Sequence, residues 1–158
     1  MKNEFLIRKL RAEDYLVIDA CMQELHRLHV DGRPDIFAPL EHPYSEQEFL
    51  NIVEDETYIT LGAVDENDDI MGFCIAKLRD KSEMVDDLKT VYIDDFFVRK
   101  EYRRRGIAKY IFEQFEDLAK EKGAKRIDLM VWEFNESALE LYEALGMKTQ
   151  RRILEKKL

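Results

Sequence analysis

Apolar and polar residues follow two different periods along this chain, and each period predicts a different kind of element. Alternating positions and short apolar runs predict β-strands, whereas apolar residues spaced three and four apart predict helices. Glycine, proline and acidic runs mark the breaks. The predicted elements are a strand at 5–10, helices at 12–28 and 45–53, strands at 57–64, 70–78 and 91–98, a helix at 106–122, a strand at 126–132, a helix at 137–145 and a last strand near 149–156, with a charged loop at 80–89.

The helix predicted at 106–122 has a regular apolar stripe. Its apolar residues fall near the 3.6-residue helical repeat, at Ile107, Ile111, Phe112, Phe115, Leu118 and Ala119. One face should therefore pack on a sheet, and the strands on either side of the helix predict a right-handed crossover between parallel strands. The full order, β-α-α-β-β-β-α-β-α-β, predicts a single α/β domain in a chain of 158 residues.

The charge balance narrows the range of partners. The chain has 25 Lys and Arg residues against 34 Asp and Glu residues, for a formal net charge of −9. Such a charge disfavours nucleic acids and anionic membranes and favours cationic partners. The chain has two cysteines, too few for a disulfide scaffold, and no apolar run of membrane-spanning length, so we expect a cytoplasmic protein.

A short basic turn, residues 103–108, carries the strongest chemical signal. It follows the strand at 91–98 and opens the helix at 106–122, with the sequence Arg103-Arg104-Arg105-Gly106-Ile107-Ala108. A helix N-terminus exposes unpaired N–H groups, Gly106 has no Cβ to keep an anion off the backbone, and guanidinium groups add charge-assisted hydrogen bonds. This anion cradle is typical of a polyphosphate site. The Walker pattern and the dinucleotide glycine pattern are both missing from the chain.

The pattern Arg-x-x-Gly-x-Ala between a strand and a helix resembles the acetyl-CoA-binding segment of the GCN5-related N-acetyltransferases, the GNAT superfamily. The resemblance covers the whole chain and implies the GNAT fold: an α/β fold with a mixed central sheet, splayed between its fourth and fifth strands, and helices on both faces. It also implies that acetyl-CoA pairs with the strand backbone and binds the cradle. The implied cofactor-binding residues are Phe96, Phe97, Val98, Arg103, Arg104, Arg105, Gly106, Ile107, Ala108, Lys109 and Asn135.

A second motif, Asn135-x-x-Ala138-x-x-x-Tyr142-x-x-x-Gly146, matches the second cofactor-side motif of the same superfamily. There the tyrosine is the general acid, so the resemblance implies that Tyr142 protonates the leaving CoA thiolate. A phenol with a pKa of about 10 holds its proton at neutral pH, as that role requires. The alternative is that Tyr142 belongs to an apolar helix stripe and that Asn135 is only an N-cap.

An amine acceptor must lose a proton before it can attack, because an alkylamine with a pKa of about 10 is mostly ammonium at neutral pH. The string IDDFFV resembles the IEDFFV string of the spermidine/spermine acetyltransferases, which implies that Asp94 is the base, acting directly or through a water molecule. We expect Asp95 on the opposite strand face, on the substrate side. Ion pairs with nearby Arg or Lys residues are the alternative for both.

The first helix and the loop after it cover the acceptor pocket in the superfamily. The resemblance therefore implies that His26, His29 and Asp31 bind substrate, with Arg33 and Asp35 as further candidates. Exposed surface is the alternative for each. We expect no metal site, because the two histidines have no third and fourth ligand at suitable spacing. Trp132 and Phe134 either line the same mouth or pack in the core.

The predicted function is transfer of an acetyl group from acetyl-CoA to a primary amine of a cationic acceptor, without a covalent enzyme intermediate. The acceptor is a small molecule or a peptide, and nucleic acid and membrane are not expected partners. The superfamily resemblance is compatible with a homodimer. Two alternatives stay open: a non-catalytic acetyl-CoA sensor or interaction domain, and an acetyltransferase that acts on protein lysines or N-termini.

Overall fold

A mixed five-stranded sheet organises the part of the chain that the computed structural model describes, residues 5–79 and 89–158. The strands lie in chain order, with antiparallel neighbours except for the parallel pair β4 and β5. The strands are β1 Leu6–Arg8, β2 Tyr58–Val64, β3 Ile70–Arg79, β4 Thr90–Val98 and β5 Arg126–Leu129. The helices are α1 Tyr15–Gly32, α2 Glu46–Glu54, α3 Ile107–Glu121 and α4 Glu136–Ala144, and single 3-10 turns span Ala12–Asp14 and Lys100–Tyr102.

Each face of the sheet has its own apolar core. The α3 stripe packs on one face, where Ile111 and Phe115 are fully buried beside Val91 of β4. On the other face, residues of α1 and α2 such as Ile18 and Phe49 cover β3. The alternation predicted for the strands thus divides their side chains between two helical layers. The mixed sheet with helices on both faces, expected from the sequence, is therefore present.

The parallel pair β4 and β5 separates after four residues. Thr90–Ile93 of β4 pairs with Arg126–Leu129, and the rest of β4, from Asp94 to Val98, has no partner on β5. A β-bulge begins the separation, because Ile75 of β3 faces Asp95 and Ala76 faces Ile93, which leaves Asp94 as the extra residue. The expected splay between the fourth and fifth strands is therefore present.

The structure corrects the predicted end of two elements. The first helix continues to Gly32 rather than 28, because Arg33 N–H still donates to His29 O at 2.9 Å. The strand predicted at 126–132 stops at Leu129, since β4 has diverged from it there. Most of the charged loop predicted at 80–89 lies outside the described residues.

The last strand predicted near 149–156 is wrong: this segment has no regular structure and is exposed throughout. Its two adjacent apolar residues, Ile153 and Leu154, would point to opposite faces of a strand, so neither face would become apolar. The segment is held instead by charge, through an ion pair at 2.8 Å between Arg33 Nη2 and Glu155 Oε2.

Candidate active site

The open edge of β4 presents backbone groups at the gap between the two splayed strands. The carbonyl of Phe97 faces β3, since its oxygen would lie 2.9 Å from a Cβ built on Gly72. Backbone groups of successive strand residues point to alternate edges, so those of Phe96 and Val98 face the gap. In agreement with this, Val98 O accepts a hydrogen bond from Arg103 Nε at 2.8 Å. The gap can therefore bind an extended amide-containing chain by strand-like pairing.

The anion cradle lies at the end of that edge. Its backbone turns through two left-handed residues, Arg104 with φ 62° and Gly106 with φ 76°. Among the described residues, no acceptor is recorded for the N–H groups of 104–109, and the next one, Tyr110 N–H, donates to Gly106 O at 3.0 Å. A Cβ on Gly106 would have nothing within 4 Å. Open space lined by unpaired N–H groups at a helix N-terminus is suited to a phosphate.

Some basic side chains of the cradle contact other residues of the protein, and others are left without an ion pair. Arg103 is tied to Val98 O and lies 3.7 Å from Glu24, at the side of the gap. Arg104 and Arg105 are exposed and form no ion pair with a described carboxylate. Lys109 lies 3.8 Å from Glu113 one turn along α3. The cradle therefore keeps two guanidinium groups available, and its residues fit the diphosphate of a CoA thioester.

Asp94 and Asp95 lie at the start of the open edge and share a sheet face, contrary to the expectation of opposite faces. The bulge breaks the alternation between them. Tyr44, which belongs to the α1 and α2 side of the sheet, donates a short hydrogen bond from its hydroxyl to Asp95 Oδ2. Both carboxylates raise the pKa of Tyr44, after the larger effect of burial. Two carboxylates are therefore close to the same tyrosine.

The surroundings of the two carboxylates differ. Burial raises the pKa of Asp95 to about 6, the Tyr44 hydrogen bond opposes that rise, and the charge of Asp94 adds to it. Asp94 is exposed as a whole residue. Partial burial of its carboxyl group raises its pKa, and the charges of Arg79 and Lys77 oppose that rise. A carboxylate with a pKa near 6 is ionised at neutral pH and close to the ideal range for a general base.

Tyr142 of α4 lies on the α3 side of the gap. Its ring packs edge-on against Phe96, with ring centroids 6.4 Å apart. Burial raises its pKa, and the nearby groups Cys74 and Asp95 raise it further, so its hydroxyl is protonated at neutral pH. Asn135 caps α4, accepting a hydrogen bond from Ala138 N–H at 3.3 Å. The structure thus gives Asn135 the structural role left open by the sequence, and its contact with a cofactor stays a prediction.

His26 and His29 are part of an aromatic wall, which we define as His26, His29, Phe37, Trp132 and Phe134. His29 stacks on Phe37 at 5.2 Å, and Phe37 packs edge-on against Trp132 at 5.4 Å. His26 Nε2 donates to Ala38 O at 2.7 Å. Burial and the adjacent His26 lower the pKa of His29, so its ring is neutral at neutral pH. The wall joins α1 to the proline-rich loop, residues 32–44, and to the segment after β5.

The remaining acceptor-side candidates are less closely held. Asp31 is exposed, and no ion pair with a described residue is recorded for it. Arg33 pairs with Asp35 and Glu155 and lies over the Trp132 ring at 5.6 Å, so it supports the aromatic wall. In residues 5–79 and 89–158, no group of three or more His, Cys, Asp or Glu side chains is arranged to hold a metal ion.

Tyr44 is the site residue that sequence reasoning missed. It follows Pro43 in the proline-rich loop, and nothing in the local sequence connects it with a carboxylate 51 positions later. One hydrogen bond holds its backbone, because Tyr15 donates from its hydroxyl to Tyr44 O at 3.0 Å. The next residue, Ser45, is the N-cap of α2 and forms a capping box with Glu48. A sequence signal exists only for the capping box, Ser-x-x-Glu.

Comparisons with known proteins agree with this geometry. The Acetyltransferase (GNAT) family model matches residues 22–147. The BH1408 protein of Bacillus halodurans, solved as a mutant, is 31% identical, with a TM-score of 0.91 over 97% of this chain and 99% of that one. The aminoglycoside N-acetyltransferase AAC(6')-Iy in complex with CoA is 17% identical and covers 98% of this chain and 94% of that one, with a TM-score of 0.73, which concerns the fold alone.

A curated relative is the thialysine N-epsilon-acetyltransferase of Bos taurus, 36% identical over 58 residues. That alignment covers 37% of this chain and 34% of the relative, so the match spans about a third of the relative's length. Separately, no helix in the described part of the chain is long and apolar enough to cross a membrane.

Proposed function

The chain belongs to the GNAT acetyltransferase family, and we propose that it is an acetyl-CoA-dependent N-acetyltransferase whose acceptor is a primary amine on a cationic molecule. We take residues 1–158 as one such domain. The observation that carries the proposal is the open edge of β4, because it connects the anion cradle at one end with Asp95 and Tyr142 at the other. One surface thus offers a binding site for a long phosphorylated thioester and acid–base groups beside it.

Acetyl-CoA is the cosubstrate in this proposal, and no metal takes part. The N–H groups of 104–109 and the guanidinium groups of Arg104 and Arg105 would hold its diphosphate. The gap-facing backbone of Phe96 and Val98 would pair with its pantetheine amides. Ile107 and Ala108 contribute backbone N–H groups, and Asn135 orients the α4 end of the site. The backbone of Phe97, a cofactor-binding candidate from the sequence, is turned toward β3 instead.

Acetyl transfer needs proton transfers as well as the acyl step. The ammonium first gives a proton to the Asp94–Asp95 pair, in which the family resemblance assigns Asp94. The nitrogen lone pair then attacks the thioester carbonyl carbon, polarised by a backbone N–H near Val98, and a C–N bond forms. Collapse of the adduct breaks the C–S bond, and Tyr142 gives its proton to the thiolate. Tyr142 is reprotonated from the nitrogen through water, so one proton per turnover reaches solvent.

The acceptor is expected to be a cation that fits between the carboxylate pair and the aromatic wall. Asp95 supplies negative charge, and His26, His29 and Asp31 lie along the α1 side of the proposed pocket. Relatives of this chain are named for thialysine, ornithine and aminoglycoside acetylation, and all three of those molecules carry amines. Polyamines and amino acids with side-chain amines are therefore the first acceptors to test.

The test is release of the CoA thiol from acetyl-CoA in the presence of polyamines, aminoglycosides, amino acids and lysine peptides. A rate that depends on one small cationic amine, and is absent without amine, supports the proposal. A rate with peptides alone would favour a protein acetyltransferase. Calorimetric binding of acetyl-CoA without thiol release across the panel would favour a sensor, and no binding at all would contradict the assignment.

We also propose that the enzyme is a cytoplasmic homodimer. The outer edge of β5 has no strand partner among the described residues, and a groove of about 430 Å³ lies beside it, between α3, β5 and residues 145–148. Ile153 and Leu154 are 79% and 90% exposed, and a second copy would cover these groups. Cys21 and Cys74 are free thiols, which suits a reducing compartment.

The oligomeric state can be measured by analytical ultracentrifugation. We expect a dimer for the parent protein and a monomer for a variant that ends at Lys148, because the exposed C-terminal segment supplies part of the interface. Dimers of both proteins would exclude the segment from the interface. A monomeric parent at micromolar concentration would contradict the homodimer.

A further inference from the structure

The Tyr44 hydroxyl forms the one hydrogen bond that links the proline-rich loop to a candidate acid–base group among the described residues. It donates to Asp95 Oδ2, across the sheet face from the loop. No described residue donates to the other oxygen, Asp95 Oδ1. One carboxylate oxygen is therefore fixed by the protein, and the other is available to a ligand or a water molecule.

Asp95 is adjacent in sequence to Phe96, whose ring packs edge-on against Tyr142, the proposed general acid. The charge of Asp95 raises the pKa of Tyr142, after the larger effects of burial and Cys74. The charges of Arg79 and Lys77, both on β3, oppose the rise that burial causes in the pKa of Asp94. Of the two carboxylates, Asp95 is therefore the one held directly by a side chain of the protein and the one next to the residue that contacts Tyr142.

We infer that Asp95 is the carboxylate that takes the proton from the acceptor ammonium, and that Tyr44 is a positioning residue that fixes its orientation. Asp94 then contributes negative charge to the acceptor pocket. This inference rests on the proposed acetyltransferase function. The ammonium N–H bond breaks, its proton passes to Asp95 Oδ1 directly or through one water molecule, and the electron pair remains on nitrogen for the attack on the thioester.

The groups around Asp95 define how its ionisation should respond to mutation. The groups near Asp95 come from four places in the chain: Tyr44 before α2, Asp94 beside Asp95 on β4, Cys74 on β3 and Tyr142 on α4. Of these, Asp94 is the other carboxyl group. A base must be ionised to act, so kcat should fall as the pH falls through the pKa of Asp95. The Tyr44 hydrogen bond stabilises the ionised form, and the Asp94 charge destabilises it.

The experiment is the pH profile of kcat between about pH 5 and pH 8, at saturating acetyl-CoA and acceptor. The acidic limb of this profile is the range in which kcat falls as the pH decreases. In Tyr44→Phe this acidic limb should move to higher pH by about one unit, because a hydrogen bond to the Asp95 carboxylate is lost. In Asp94→Asn it should move down by roughly half a unit, because a repulsive charge is removed. Asp95→Asn should lower kcat on the order of 10²-fold and abolish the limb.

Tyr15→Phe is the matched control. It removes the hydrogen bond to the Tyr44 backbone and leaves the Asp95 carboxylate untouched, so it should leave the limb in place even where loosening of the loop alters KM. A limb that stays fixed in Tyr44→Phe, or that disappears in Asp94→Asn, would overturn the inference and assign the proton to Asp94. No amine-dependent turnover in the parent would overturn the proposed function and the inference together.

A second measurement does not depend on turnover. Carbon NMR titration of the Asp95 carboxyl group in the free protein should give a higher pKa in Tyr44→Phe than in the parent and a lower one in Asp94→Asn. Equal values in the parent and Tyr44→Phe would contradict the positioning role. If the parent is active, and the two variants show these changes in the pKa of Asp95 together with the expected shifts of their pH profiles, both parts of the inference are supported.

Discussion

Replacing Tyr142 with phenylalanine should lower kcat about 10²–10³-fold, because the leaving thiolate would lose its proton donor. The change removes one oxygen and keeps the ring, so the edge-on contact with Phe96 persists and the fold should be unaffected. Because burial keeps the pKa of Tyr142 well above neutral, the loss should be uniform between about pH 6 and pH 9. Steady-state kinetics at saturating substrates, with the acetyl-CoA Kd measured separately, would separate chemistry from binding.

Tyr110→Phe is a suitable control for that experiment. Tyr110 is also half-buried on a helix, with its ring packed edge-on against Phe5 at 5.3 Å, and it takes no part in the proposed chemistry. We expect its kcat to stay within about threefold of the parent value. If Tyr142→Phe behaved the same way, Tyr142 would be a member of the apolar stripe of α4 and nothing more.

Replacing Gly106 with aspartate should raise the Kd for acetyl-CoA by about 10²-fold or more. The new carboxylate would occupy the open space in the anion cradle, bind the unpaired N–H groups itself and repel the diphosphate. Its effect on stability should be small, because an acidic N-cap favours the helix while the left-handed backbone disfavours a side chain. Isothermal titration calorimetry with acetyl-CoA, beside urea unfolding, would measure both quantities.

Gly146→Asp provides the matched comparison. Gly146 has a φ of 84°, close to the 76° of Gly106, and a Cβ there would also have nothing within 4 Å, but it follows α4 rather than opening α3. Its acetyl-CoA Kd should equal that of the parent. Gly106→Asn adds similar bulk without charge and should fall between the two. Equal weakening in Gly106→Asp and Gly146→Asp would mean that the cradle does not bind the diphosphate.

The parts of the fold that sequence reasoning predicted are those with strong local patterns. The apolar stripe of α3 required a helix at nearly the observed bounds, and the Arg-x-x-Gly-x-Ala turn located the cradle at its start. The acidic run at 65–69 predicted a break between two strands, and the structure has β2 and β3 paired antiparallel on either side of it. The strand predicted near 149–156 was wrong because its two apolar residues, Ile153 and Leu154, are adjacent, so neither face of a strand would be apolar.

The candidate site was less accessible to such reasoning, because its decisive features join distant parts of the chain. The bulge that brings Asp94 and Asp95 to one face is a shift of register between β3 and β4, and no residue within β4 predicts it. The contact between Tyr44 and Asp95 exists only after α2 has packed on the sheet. Proximity of His26 and His29 on one helix face followed from their spacing, but their common neighbour Phe37 did not.

The aromatic wall has a consequence for how this scaffold could change its substrate. The backbone and charges proposed for the cofactor come from one continuous stretch, residues 96–109, whereas the wall is assembled from α1, the proline-rich loop and the segment after β5. Its rings touch one another, so the effect of altering His29, Phe37 or Trp132 depends on the other two. With the wall in its proposed place beside the acceptor, preference for the acceptor can diverge by concerted, interdependent replacement of these rings, while the proposed cofactor site is inherited unchanged.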